Sequence, residues 1–233
     1  MILQALLLNF LLTAATPVEI LVVNFPSKGK VSVSLGAKGK ADIDRLGTVT
    51  KVAIQLEDVQ AAHSALSGMN AIVAWVVSPE GSFENLGELD VSGAKAFLEA
   101  TTRFDRFGIL ITAEPHYMVD RPGPAVMFRN EAPRSARSLP LTIQVGEYEY
   151  GDLPQAVRNV PPLVMEARAA VAIAKSAQAE RFAEADFRQA RVSLDTMEEL
   201  IRRASPLDVV APSAHEAIRR AQRAFTLSRQ SVR

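Results

Sequence analysis

The most constraining feature of this sequence is a change of hydrophobic period partway along it. Up to residue 150 apolar residues recur at period two in short runs, and beyond residue 162 they recur at between 3.5 and 3.6. A chain that alternates in its first part and winds helically in its second is built from strands followed by helices, which is an α+β architecture and not a βαβ one.

The first part reads as nine strands, at 19–25, 30–35, 49–56, 71–77, 86–91, 95–101, 108–113, 125–130 and 141–150. Val52, Ile54 and Leu56 alternate with Ala53 and Gln55, so one face is buried. Turn chemistry separates the runs: Ser78-Pro79-Glu80-Gly81, Ser92-Gly93 and Asp120-Arg121-Pro122-Gly123-Pro124 contain the residues that tight turns require. Many short strands with no helical pattern between them predict an antiparallel β-sandwich of the immunoglobulin-like kind over residues 17–151, with a linker at 152–162.

Residues 163–233 then predict an alanine-rich helical domain, a hairpin or three-helix segment. Leu163, Ala167, Ala170, Ala174 and Ala177 form one stripe. Phe187, Ala190, Leu194, Met197 and Ile201 form a second, and Ala214, Ala217, Ala221, Ala224 and Ser228 a third. Alanine in a stripe lets helix backbones approach closely, so the helices are expected to pack on one another. Ser213 and Glu216 after Pro212 have the spacing of a capping box and predict a helix start there. Acid-first pairs four apart, Glu184 with Arg188, Glu198 with Arg202, Glu199 with Arg203 and Glu216 with Arg220, are expected on the exposed faces.

Composition narrows the function classes. The 26 basic and 26 acidic residues cancel, so the totals point to no nucleic acid. There is no cysteine, hence no disulfide, thiolate chemistry or cysteine-bound metal. His63, His116 and His215 lie in separate contexts, none three or four residues from another, and no metal site is assigned to them. Asp42 and Asp44 lack the rest of a calcium loop. No nucleophile elbow, phosphate-binding loop or dinucleotide fingerprint occurs. The reading therefore names no catalytic residue, no metal ligand and no cofactor, and expects a protein that is not an enzyme. Carboxylates near Glu80, Glu84, Glu88 or Glu114 carry the rival reading, an enzyme acting on envelope polysaccharide, provided two of them face each other across a cleft. Arg219, Arg220, Arg223 and Arg229 mark a basic helix face that suits an anionic surface or a protein partner.

Residues 2–12 are apolar apart from Gln4 and Asn9, and Thr13-Ala14-Ala15 suits signal-peptidase cleavage, so residues 1–16 read as a signal segment that lacks the usual positive start. The stretch is too short for a membrane span, which needs about 20 residues.

Two resemblances add to this reading. Ala74-Trp75-Val76-Val77-Ser78-Pro79-Glu80-Gly81, Glu84-Asn85-Leu86-Gly87-Glu88-Leu89 and Thr112-Ala113-Glu114-Pro115 carry the first, with Glu166-Ala167-Arg168, Ala174-Lys175, Phe187, Ala190 and Leu194 in the helical part. On these residues the chain resembles an uncharacterised family of bacterial envelope proteins, in which a β-sandwich and an alanine-rich helical segment usually precede an OmpA-like domain. The resemblance implies export to the periplasm or cell envelope, and a helical spacer between the sandwich and the wall. The sequence ends at Arg233 and is expected to hold no wall-binding domain itself. Trp75, Pro79, Gly81, Leu86, Gly87 and Leu89 are also similar to the extracytoplasmic domain of anti-sigma factors of the RskA type, which implies a sensor-type domain. The expected function is thus a non-enzymatic, envelope-associated binding or scaffold protein. Its expected partners are a protein, a second copy met through the helices, or the wall or an anionic envelope surface.

Overall fold

The computed structural model describes residues 16–24, 28–34, 38–59, 69–131, 138–146 and 160–231. The expected signal segment up to Ala15, His63 and most of the expected linker lie outside the described residues. Among the described residues eleven strands precede four helices, in an α+β chain with two antiparallel sheets in a sandwich-like layout.

The strands are β1 Thr16–Asn24, β2 Lys28–Ser34, β3 Lys38–Leu46, β4 Val49–Leu56, β5 Ala71–Val77, β6 Phe83–Glu88, β7 Asp90–Ser92, β8 Lys95–Thr102, β9 Arg106–Glu114, β10 Val126–Asn130 and β11 Ser138–Val145. Tight turns join several of them. Gly47 and Gly93 each stand first in a two-residue hairpin loop with φ near +60°, the position where a type II′ turn takes glycine. Ser78 to Gly81 closes the β5–β6 hairpin, with the Gly81 N–H donating to the Ser78 carbonyl at 3.0 Å.

The two sheets part along β9. One edge of β9 pairs with β5 from Gly108 to Glu114, while the other edge is shared between β1, at Phe107 and Arg106, and β10, at residues 110–112. The Ile109 N–H falls in the gap. It donates to the Asn130 Oδ1 at 2.8 Å, and the Asn130 Nδ2 donates to the Leu21 carbonyl at 2.8 Å, so one amide stitches the sheets together where the ladder stops. The crossing is close enough that a Cβ on Gly108 would stand 2.6 Å from the Ile20 Cγ1 and 3.1 Å from the Leu21 carbonyl oxygen.

β5 is buried at every position and β9 at all but its first, because each has a core on both faces. Ile72, Ala74, Val76, Ile109, Ile111 and Ala113 face the sandwich interior with Val52, Ile54, Leu56 and Phe128. Val73, Trp75, Val77 and Leu110 face the other way, into a cluster that holds Ile20 and Ile143 of the second sheet and Val164, Ala167, Ala170, Phe187, Ala217 and Ala221 of the helices. The alanine stripes therefore pack on one another and also share a core with bulky residues of the sheet, which the expectation of a purely helical seam did not include.

The helices are α1 Pro162–Ser176, α2 Ala179–Phe182, α3 Glu184–Arg202 and α4 Leu207–Ser231. They number four, one more than the three-helix expectation, because a single turn separates the first and third. α1 starts on Pro162, whose missing N–H costs nothing in a first turn. α4 begins six residues ahead of the expected capping box at Ser213 and carries Pro212 inside it. The carbonyl of Pro206 takes the first donors of this helix, the N–H groups of Val209 and Val210, so it starts before Pro212 is reached. Of the expected ion pairs, Glu184–Arg188, Glu199–Arg203 and Glu216–Arg220 form. Glu198 instead accepts from both the Nε and the Nη2 of Arg168 on α1, at 2.6 and 2.8 Å. A two-point bond across helices outweighs an exposed pair along one helix.

Candidate functional site

Beyond the end of β9 the chain makes an eleven-residue connection, 115–125, rich in proline and unable to pair as a strand. Its polar groups are bonded to both halves of the fold. The Asn70 Nδ2 donates to the Pro115 carbonyl at 3.0 Å, and the Asn85 Nδ2 donates to the carbonyls of Tyr117 and Val119 at 2.8 Å each. On the helical side the Tyr117 hydroxyl donates to the Gln222 Oε1 of α4 at 2.9 Å, and Arg229 of α4 pairs with Asp120. This loop clasps α4 to the sheet.

Under the loop runs a row of buried polar groups. The Trp75 indole N–H donates to the Thr112 Oγ1 at 2.8 Å, that hydroxyl donates to the Glu114 Oε1 at 2.5 Å, and the Gly123 N–H donates to the same oxygen at 2.6 Å. Trp75, Thr112 and Glu114 are fully buried. Glu114 thus ties the loop to the centre of the sheet. His116 is fully buried too; its Nδ1 accepts the Met118 N–H at 3.2 Å, and its Nε2 finds no partner among the described residues. Burial pushes its pKa down to about 3, so the ring is neutral.

A second group of side chains stands at the seam between the sheet and α1. The β5–β6 pairing slips between Ala74 and Trp75, so that Trp75 faces Asn85 but Ala74 faces Gly87, and Gly87 takes φ +119°. This bulge inserts one residue and turns Glu88 to the helix-side face, opposite Val73. Glu88 is exposed as a residue, yet its carboxyl stands among protein groups that raise its pKa to about 7. Burial is the larger cause, and the carboxylates of Glu166 on α1 and Asp90 on β7 add to it. Glu166 is half-buried and its pKa is raised by burial, and the Tyr117 hydroxyl is raised by burial and by both glutamates.

The carboxylates proposed from sequence occupy four environments. Glu80 lies at the β5–β6 turn, where hydrogen bonds from the Ser78 side chain and from its own backbone N–H lower its pKa. Glu84 accepts from the Thr102 hydroxyl at 2.5 Å. Glu114 is in the buried row and Glu88 at the helix seam. Asp42 and Asp44 lie on β3, a strand and not a calcium loop. His215 is exposed on α4. Among the described residues, no group of three or more His, Asp or Glu could hold a metal ion.

The four arginines are placed on α4 and each meets an acid of the same chain: Arg219 and Arg220 meet Glu216, Arg220 and Arg223 meet Asp186, and Arg229 meets Asp120. Glu166, though part of the resemblance, was not assigned a site role from sequence, because a lone glutamate in an alanine-rich helix reads as a solvated residue. Asn85 and Gln222 were missed for a similar reason. No periodicity marks an amide that serves a distant backbone. No helix among the described residues is long and apolar enough to cross a membrane.

A cleft of about 520 Å³ opens beside the end strand of the sheet path, β11, between Leu141–Gln144, the turn at Glu80 to Phe83, and Asp120 with Arg121. The fold and these sites define an α+β body in which the sheets and helices share a core and the 115–125 loop is bonded to both. Compared with protein-family models, curated proteins and solved structures, the chain finds no match.

Proposed function

We propose that this chain is a non-enzymatic, envelope-associated binding or scaffold protein. The observation that carries the binding reading is the cleft along β11, which pairs with β1 and with no other strand among the described residues. An end strand beside a cleft suits an extended segment of a partner protein, added by backbone hydrogen bonds. The internal use of Glu84, Glu114 and the α4 arginines supports a structural role for these groups. The envelope address rests on the apolar start of the sequence and on the family resemblance. The test is fractionation of cells expressing the full chain from its native start, with any upstream in-frame codons restored. A processed chain in the periplasmic or envelope fraction is expected; a wholly cytoplasmic, unprocessed chain would overturn the address.

One observation favours the enzymatic reading. Glu88 has a pKa raised to about 7 by burial and by the neighbouring carboxylates of Glu166 and Asp90, and a carboxyl that titrates in that range suits a general acid. Incubation of the purified chain with peptidoglycan decides between them. New reducing ends that vanish in Glu88→Gln would establish the enzyme, and their absence leaves the scaffold reading in place.

A further inference from the structure

We infer that the outer edge of β11, from Pro140 to Gln144, takes a short extended protein segment with apolar residues at alternate positions and a cationic residue beside Glu80. This rests on the reading of the β11 cleft as a binding site and names what fills it.

The register decides which backbone groups point into the cleft. In an antiparallel pair, opposed residues alternate between those that exchange backbone bonds and those whose N–H and C=O point away from the partner. Pro17 stands opposite Gln144, Glu19 opposite Thr142 and Leu21 opposite Pro140, three pairs in one phase. Neither proline has the N–H that an exchanging pair needs, so these are the pairs that point away. Two bonds on the far side of β1 agree. The Glu19 carbonyl accepts from the Arg129 Nη1 at 2.6 Å and the Leu21 carbonyl from the Asn130 Nδ2 at 2.8 Å, so both are turned from β11. Thr142 and Gln144 must therefore turn their own N–H and C=O groups from β1. The Gly146 N–H, in the same phase, reaches outward to the Pro122 carbonyl at 2.9 Å. Among the described residues no backbone group takes those of Thr142 and Gln144. The open stretch ends at that Gly146 bond on one side and at Pro140, which offers a carbonyl and no donor, on the other.

The walls of the cleft set the chemistry of the segment. Leu141 and Ile143 belong to the helix-side core, and Phe83 across the cleft packs on that same core, while Thr142 and Gln144 are exposed on the opposite face. An added strand accordingly needs apolar side chains over Leu141 and Phe83, and N–H groups at the intervening positions, opposite Pro140, Thr142 and Gln144. The charge comes from the turn. Glu80 lines the cleft, is exposed and makes no ion pair among the described residues, whereas Asp120 on the same rim is met by Arg229. Arg106 acts on Glu80 through space without pairing with it. A lysine or arginine of the segment is the complement. A second copy fits the edge less well. Pairing β11 with itself about Thr142 would set Pro140 against Gln144 and leave the Gln144 carbonyls without a donor, and β11 has no lysine or arginine to meet Glu80.

The probe is the blocked peptide Lys-Thr-Val-Thr-Val-Thr-Lys, whose valines and lysines share one face and whose threonines share the other. It is titrated into the isotope-labelled full chain while the backbone amides are followed by NMR. The Thr142 and Gln144 amides are expected to shift and to exchange more slowly with solvent. N-methylation of the threonines removes the donors to β11 and should weaken binding at least about tenfold. Glutamates in place of the lysines should weaken it about fivefold in the wild type, and much less in Glu80→Gln. Thr142→Pro takes a donor from the outer edge and none from the β1 ladder, so it should weaken binding about fivefold with the circular dichroism unchanged. Equal binding of the lysine and glutamate peptides, with the β11 amides shifted, would overturn this inference and leave the binding reading standing. No shift of the β11 amides with any of the peptides would overturn both. A chain that is dimeric by light scattering, with Thr142 and Gln144 already protected before peptide is added, would make a second copy the occupant and overturn the inference as well.

Discussion

Gly108 shows how much of this fold depends on single atoms. It lies where β1 crosses β9, and a methyl group there would overlap the Ile20 side chain and press on the Leu21 carbonyl oxygen. Gly108→Ala is expected to cost about 2 kcal/mol by overpacking, measured by urea denaturation. His116 makes a different prediction, one of pH. Its folded-state pKa of about 3 lies below the ordinary 6.5, so the unfolded chain takes up the proton first and stability falls as pH drops from 6.5 towards 3. Each pH unit in that range costs up to about 1.4 kcal/mol. His116→Asn keeps an acceptor for the Met118 N–H and removes the titration, so its melting temperature should change less between pH 7 and pH 4 than that of the wild type. At this scale the sequence was readable where local chemistry decides. Gly81 and Gly93 marked turns as expected. Asn85, Asn130 and Glu166 were not readable, because their tasks depend on backbone and side chains many residues away.

Among the elements, β3 is the one that period two did not reveal. Its sequence alternates Lys38, Lys40, Asp42 and Asp44 with Gly39, Ala41 and Ile43, so the charged face dominates and the buried face has only two apolar residues, Ala41 and Ile43. Composition made it look like a turn, while its neighbours on both sides give it full pairing. β6 and β7 were expected as one strand at 86–91, and the break at Leu89 follows from the Gly87 bulge. The end of α3 carries a further prediction. Ala204 sits at φ +54°, with its N–H on the Ile201 carbonyl at 2.8 Å and the Ser205 N–H on the Leu200 carbonyl at 3.0 Å, the bonding of a Schellman cap. Alanine is strained at this position and glycine is not. Ala204→Gly is expected to raise stability by about 0.5–1 kcal/mol, read as an increase in melting temperature.

At the scale of the whole molecule, the strand-then-helix order and the antiparallel class were legible from the change of period alone. Left out of that reading was the second face of β5 and β9. A run such as Ala71 to Val77, apolar at every position, is the mark of a strand buried on both sides. What covers the second face is a question of tertiary packing, and here the helices and the second sheet cover it together. The sheet and the helical segment are accordingly expected to unfold as one unit. The chain offers its own probes for this, since Trp75 is the only tryptophan and lies in the core they share, while the helices dominate the far-ultraviolet circular dichroism. Urea unfolding of the full chain, followed by Trp75 fluorescence and by circular dichroism on the same samples, should give coincident transitions with one midpoint. Loss of the helical signal at a lower urea concentration, with Trp75 emission unchanged until a second transition, would contradict the shared core.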